Sequence, residues 1–247
     1  MKKKKNKKKI NTGKVAIIFS LLLIVVIVFY ALLNSNIFNS KNVIIDGNKH
    51  VKSEDIVKTL GIKDDKNIFR YNLGNMESEL LKNKYIKKVN IKRLLPNTLK
   101  VDITEKEIVA TLYNEGIYCY IDKEAKFIDE ISEEDKDNSV VTVDIYYSLS
   151  DLQEINFKNE ENRNRLLYLL ECMKSESVYK KIKQVDMTDK DSIKMHTNDN
   201  IKVLLNKDEN LKYNISKLAM ILADLQSKNQ IGGEIDLSTG KYALYRP

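Results

Sequence analysis

Two histidines, two cysteines and one glycine-containing segment near the C-terminus are the residues of this sequence whose types could do chemistry. His50 and His196 would be metal ligands or general bases, but they stand about 145 residues apart with no ligand-like spacing around either. Each reads as a surface or strand residue. Cys119 and Cys172 would be nucleophiles or a disulfide, yet neither lies in a nucleophile motif and no G-x-S-x-G occurs. One bridge and two free buried thiols are both compatible with the sequence. Gly233 to Lys241 resembles a phosphate loop only superficially: the glycine spacing is wrong and Tyr242 stands where Ser or Thr is required. Carboxylates are plentiful, but no pair can be assigned to a cleft. The sequence reads as a non-enzyme, with no metal and no cofactor, and the chemistry left to it is recognition.

The charge pattern says what is recognised first. The net charge is +7, but the first fourteen residues carry eight lysines and no acid, which leaves −1 for everything after Lys14. The basic character therefore belongs to a tail, and that tail has no aromatic to stack on a base. No specific nucleic acid is expected. Val15–Leu33 follows, nineteen residues without a charge, Gly or Pro. At about 1.5 Å per residue such a helix spans roughly 29 Å, close to the hydrocarbon thickness of a bilayer. Membrane lipid around residues 15–33 is the first expected partner. The exit, Asn34-Ser35-Asn36-Ile37-Phe38, offers no good cleavage site, so the segment reads as an uncleaved signal anchor. Lysine-rich flanks stay cytoplasmic, which assigns residues 34–247 to the outside.

The exported part must position whatever does the recognising. Val43–Asn48 is a short β-branched run closed by a turn. Ser53–Gly61 carries helix signals in order: Ser53 as cap, acids in the first turn, Ile56, Val57 and Leu60 as apolar stripe, and Gly61 as left-handed terminator. A second helix is expected over 75–83, with Met76, Leu80 and Leu81 facing in. Tyr85–Arg93 and Thr98–Lys106 alternate apolar and polar residues and pair across the Leu95-Pro96-Asn97 turn. The order is β-α-α-β-β. Beyond Glu107, further strands are expected at 107–113 and 118–128, an acidic solvated loop at 130–138, and a helix over about 160–181. A strand at 183–187 and a 192–205 hairpin follow. Leu211, Ile215, Leu218, Leu222 and Leu225 form one stripe of a helix that packs on a sheet. Two strands flanking Ser238-Thr239-Gly240 end the chain.

The run Val43–Asn48, the helix ending at Gly61, Ile86-Lys-Lys-Val-Asn-Ile-Lys-Arg93, and Leu95-Pro-Asn-Thr-Leu99 leading into a strand that ends in Glu105 resemble a POTRA domain. Behind a single anchor, the resemblance is to the FtsQ/DivIB family of bacterial cell-division proteins, over residues 37–247. Glu124-Ala125 departs from the family at a turn where Gly is usual. The resemblance implies an α+β fold: a tail (1–14), a transmembrane helix (15–33), a POTRA domain (37–107) and a C-terminal β domain with packed helices (108–247). It implies a non-enzymatic component of the division septum that binds FtsL and FtsB/DivIC and helps recruit or regulate the septal peptidoglycan synthase. It further implies docking of FtsB/DivIC at Thr239, Lys241, Tyr242, Ala243, Leu244 and Tyr245. From the sequence, 241–246 is a terminal strand with one partner and an open side. The alternative is that Tyr242 and Leu244 merely cover the core helix. Two further readings are a different POTRA-bearing anchored factor, serving sporulation or export, and a tethered nucleic-acid binder acting through the lysines.

Overall fold

The computed structural model describes residues 12–207, 210–239 and 242–247. Most of the lysine tail lies outside them. The first helix, α1, runs Thr12–Leu33, and its residues 13–32 are exposed. Among the described residues it is the one helix long and apolar enough to cross a membrane. The chain divides into two compact units, Met1–Glu105 and Lys106–Pro247.

In the first unit β1 (Asn42–Asp46), α2 (Ser53–Leu60), α3 (Leu73–Leu80), β2 (Ile86–Leu94) and β3 (Thr98–Glu105) follow in the expected order. β3 lies in the centre of a three-stranded sheet, parallel to β1 and antiparallel to β2. Alternation decides the faces. Val89, Ile91, Leu99, Val101 and Ile103 are buried against Ile56, Leu60, Met76 and Leu80 of the two helices. The opposite sheet face is wet, and there Lys100 sits 3.0 Å from both Asp46 and Asp102.

Local signals misplace two helix starts. Ser53 does not cap α2: Lys52 occupies that position, and the Ser53 hydroxyl instead accepts from Asn48 Nδ2 at 3.2 Å. α3 begins at Leu73 rather than Asn75 because Asn72 caps it, its Oδ1 accepting from Asn75 N–H. Leu81 ends α3 and is exposed. Gly61 does take the left-handed conformation, at φ 59 and ψ 37, and no atom lies within 4 Å of where its Cβ would be. Strain alone should then set the effect of a side chain. Gly61→Val is expected to lower the stability of this unit by about 1 kcal/mol. An unchanged melting temperature would show that the cap is dispensable.

The second unit is a nine-stranded sheet in the order β14-β13-β12-β11-β10-β7-β4-β5-β6. Its strands are β4 (Ala110–Asn114), β5 (Ile117–Ile121), β6 (Phe127–Ile131), β7 (Thr142–Asp144), β10 (Ile182–Asp186), β11 (Ser192–Thr197), β12 (Lys202–Asn206), β13 (Glu234–Asp236) and β14 (Leu244–Arg246). β8 (Tyr147–Leu149) and β9 (Ile155–Phe157) pair separately. The helices α4 (Glu160–Ser175) and α5 (Leu211–Ser227) share one core with the sheet. All five stripe residues of α5 are buried there. The expected helix over 160–181 stops at Ser175. Ser177 takes φ 58, and Val178 N–H donates to Met173 O at 2.9 Å, closing the last turn as a Schellman motif without glycine. Buried Val178 makes the apolar contact that such a closure needs.

Cys119 and Cys172 are both buried and free. Burial pushes the Cys119 thiol up to about 11. At the Glu124-Ala125 turn, Ala125 adopts φ 56. Asp122 Oδ1 holds it there, accepting from Glu124 and Lys126 N–H at 2.8 and 3.0 Å. The acidic loop is exposed over much of its length but anchored: Asp137 N–H donates to Tyr120 Oη at 2.7 Å, and Tyr120 Oη donates to Asp135 O.

Candidate functional site

The edge at β14 is built outward from β12. β13 runs parallel to β12, and outside the strand pairs Lys202 N–H donates to Gly233 O and Leu237 N–H to Leu204 O, both at 2.9 Å. Backbone groups alternate along a strand, so Gly233, Ile235 and Leu237 point theirs at β12, while Glu234 and Asp236 point theirs at β14. The register pairs Glu234 with Arg246, Ile235 with Tyr245 and Asp236 with Leu244. Leu244 and Arg246 therefore turn their main-chain groups inward to β13. The N–H and C=O of Tyr245 face the open side, where no described strand pairs with them.

Burial anchors this corner. Ile235 and Leu237 are fully buried, and Tyr245 packs against the same core. Tyr245 Oη donates to Gly232 O at 3.1 Å. Asp236 Oδ1 accepts from the Ser238 hydroxyl and N–H at 2.6 and 2.9 Å, and these bonds hold its carboxyl below the usual range. The Thr239 hydroxyl donates to Tyr242 O at 3.2 Å, and Arg246 pairs with Glu234 at 3.4 Å.

Of the sequence-predicted residues, Thr239, Tyr242, Ala243, Leu244 and Tyr245 gather at this edge, while Lys241 lies outside the described residues. The strand is shorter than the expected 241–246: only Leu244–Arg246 pair, and Ala243 precedes it. Tyr242 is 73% exposed and Leu244 49%, so neither covers the core; Tyr245 does. Alternation told which residues share a face but not which face meets the core, because three paired residues are too few to show a pattern.

The histidines are not brought together as a site. His50, in the first unit, places Nδ1 2.9 Å from Glu105 Oε2 and stacks on Tyr85. His196 is an exposed residue of β11. Among the described residues no group of three or more His, Cys, Asp or Glu could hold a metal ion.

Sequence reasoning missed the work of Glu105, beyond marking it as the end of a strand. Its Oε1 accepts from the N–H groups of Lys49 (2.8 Å) and Val51 (3.0 Å), and its Oε2 from that of His50 (3.0 Å). Only the fold brings together residues more than fifty positions apart. The available signal was an acid closing an otherwise alternating strand.

Residues 38–106 match the model of the FtsQ-type POTRA domain, and residues 110–238 match that of the C-terminal domain of cell division protein FtsQ/DivIB. Cell division protein DivIB of Staphylococcus aureus (strain NCTC 8325 / PS 47) is 29% identical over 202 residues, covering 81% of this chain and 44% of that protein. DivIB of Clostridium tetani is 39% identical over 90 residues, 36% of this chain and 31% of the relative. FtsQ of Geotalea daltonii is 24% identical over 131 residues, 53% of this chain and 47% of the relative. The chain thus spans less than half the length of each of these relatives. The extracytoplasmic domain of DivIB from Geobacillus stearothermophilus aligns at TM-score 0.34 and 11% identity over 50% of this chain and 97% of that one. At that score the alignment adds nothing to the fold described above.

Proposed function

The chain belongs to the FtsQ/DivIB family of cell-division proteins, and we propose from this that it is a bitopic division protein that binds another division protein by strand addition at β14. Members of this family are division proteins and not enzymes. The observation that carries the reading is the open side of β14: outward main-chain groups at Tyr245 beside the exposed side chains of Tyr242 and Leu244. An added strand would satisfy those groups, and the side chains would set specificity. The partner is of the FtsB/DivIC type, with FtsL in the same complex. The assembly sits at the division septum and helps recruit or regulate the peptidoglycan synthase there. The helix α1 holds it in the membrane, with the lysines inside and the folded units outside.

Two measurements test this. Tyr242→Ala and Leu244→Asp, both at exposed side chains, should each weaken binding of the partner's exported segment about ten-fold or more. Ala243→Pro should abolish binding, while all three variants keep their melting temperatures. A domain that unfolds on Ala243→Pro would mean that this residue is already paired. Folding and binding that both survive would move the docking site elsewhere, first to the basic strand β2. The orientation is checked by adding a membrane-impermeant protease to intact protoplasts: residues 34–247 should be digested and the lysine tail spared. Protection of the large exported part would overturn the arrangement.

A further inference from the structure

The end of the first unit that carries the anchor is chemically unlike the rest of its surface. The starts of β1 and β3 and the end of β2 lie together there, since Asn42 pairs with Thr98 and Leu94 with Thr98. Lys41 N–H donates to Asn97 O at 3.0 Å, which ties the β2–β3 turn to the residues that follow the anchor. Among the described residues outside α1, this unit exposes six large apolar side chains, and four of them are at this end: Ile37 (62%), Phe69 (41%), Leu94 (41%) and Leu95 (65%). Phe69 also packs edge-on against Phe38 at 5.3 Å. Cations ring the patch. Lys41, Lys66 and Arg70 are exposed, and Arg93 lies over the Phe69 ring at 5.9 Å. Asp64 and Asp65 are the acids of the neighbouring loop.

This end is also joined to the anchor by side chains. Asn67 Nδ2 donates to Leu33 O, the last carbonyl of α1, at 2.8 Å, and Arg70 donates to Asn34 Oδ1 at 3.2 Å. Ile37 is four Cα–Cα steps beyond Leu33, a reach of at most about 14 Å. Tyr30, in the last turn of α1, is the kind of residue that sits at headgroup level.

We infer that this end of the first unit is a lipid-binding surface: Ile37, Phe69, Leu94 and Leu95 enter the headgroup boundary of the leaflet that α1 exits, and Lys41, Lys66 and Arg70 meet anionic headgroups. Apolar side chains framed by cations are what an interfacial element requires. The covalent anchor keeps the patch at the surface, so the patch sets orientation rather than attachment. Held in this way, the unit cannot pivot freely about the anchor. The inference rests on α1 spanning the bilayer.

The chain has no tryptophan, so single substitutions give background-free probes. Full-length Phe29→Trp, Leu95→Trp and Leu81→Trp proteins would be reconstituted into vesicles of phosphatidylglycerol and phosphatidylcholine, with and without bromine on the acyl chains near the headgroup. Leu81 belongs to the opposite end, just before the start of β2, which is about 30 Å long. Brominated lipid should lower Leu95→Trp fluorescence about two-fold with a blue-shifted maximum, and leave Leu81→Trp unchanged. Phe29→Trp should be quenched as a residue within the span. Quenching of Phe29→Trp with none of Leu95→Trp would overturn the inference while leaving the span standing. No quenching of Phe29→Trp would overturn both. Equal quenching of Leu95→Trp and Leu81→Trp would also overturn it, since the unit would then have no preferred end.

Discussion

Glu105→Ala is expected to lower the stability of the first unit by about 3 kcal/mol and to release the amides of Lys49, His50 and Val51 to fast hydrogen exchange. The Glu105 side chain is only 5% exposed and accepts from three consecutive backbone N–H groups and from His50 Nδ1. Hydrogen bonds to an ionised acceptor are each worth about 1.5–3 kcal/mol, and donors left without a partner add their desolvation cost. Partial solvation of the freed loop is why the expected sum is smaller than three such bonds. Val51 is also buried core, so the loss spreads to the start of α2. Burial by itself would raise the carboxyl's pKa, but the bonds from His50, Lys49 and Val51 outweigh it and hold the pKa below its ordinary value. The sign follows. A depressed pKa stabilises the fold above the unfolded carboxyl's pKa, near 4.5, and that stability is lost as pH falls through the lower, folded value. Urea midpoints of the wild type should therefore fall in that acid range, and those of Glu105→Ala should fall less. A variant as stable as the wild type at pH 7 would show that water replaces the carboxylate without cost.

Gly47→Ala should be the more damaging of two glycine substitutions that look alike on paper. Gly47 and Gly61 both have positive φ, at 89 and 59. A Cβ at Gly61 meets nothing, whereas at Gly47 it would land against the Ile103 carbonyl oxygen in the central strand. Backbone cannot rotate aside as a side chain can, so β1 and β3 would have to shift apart just where Asp46 pairs with Asp102. Conformational strain and overpacking together amount to about 2–4 kcal/mol, against about 1 kcal/mol of strain at Gly61. Thermal melts of the two alanine variants side by side would check this. Equal losses would mean that the β1–β3 crossing is looser than the backbone indicates.

Much of this was legible because it is written in periodicity. Nineteen uncharged residues from Val15 to Leu33 are long and apolar enough to cross a membrane. The stripe of α5 and the alternation of β2 and β3 state which side of each element is buried, and the four leucines and one isoleucine of the stripe are indeed in the core. Gly61 marks a helix end because few residues tolerate its conformation. The POTRA order and the family membership follow from such local signals strung in sequence.

Which neighbours those elements choose was not legible. Nothing in Thr142–Asp144 says that β7 lies between β4 and β10 and runs parallel to both. Ser53 and Ser177 show the same limit at single residues. A good capping residue lost its place to Lys52, and a serine took the left-handed position in which glycine is usual, because neighbouring bonds and the burial of Val178 outweighed propensity. At the candidate edge, the sequence by itself determined that a strand follows Ser238 and Thr239. Only the tertiary structure decided that Tyr245 packs inward while Tyr242 and Leu244 stay exposed. It likewise decided that Glu105 clamps a loop more than fifty residues away. Periodicity records the buried side of a segment, but its partner is set by long-range packing, a property of no single segment.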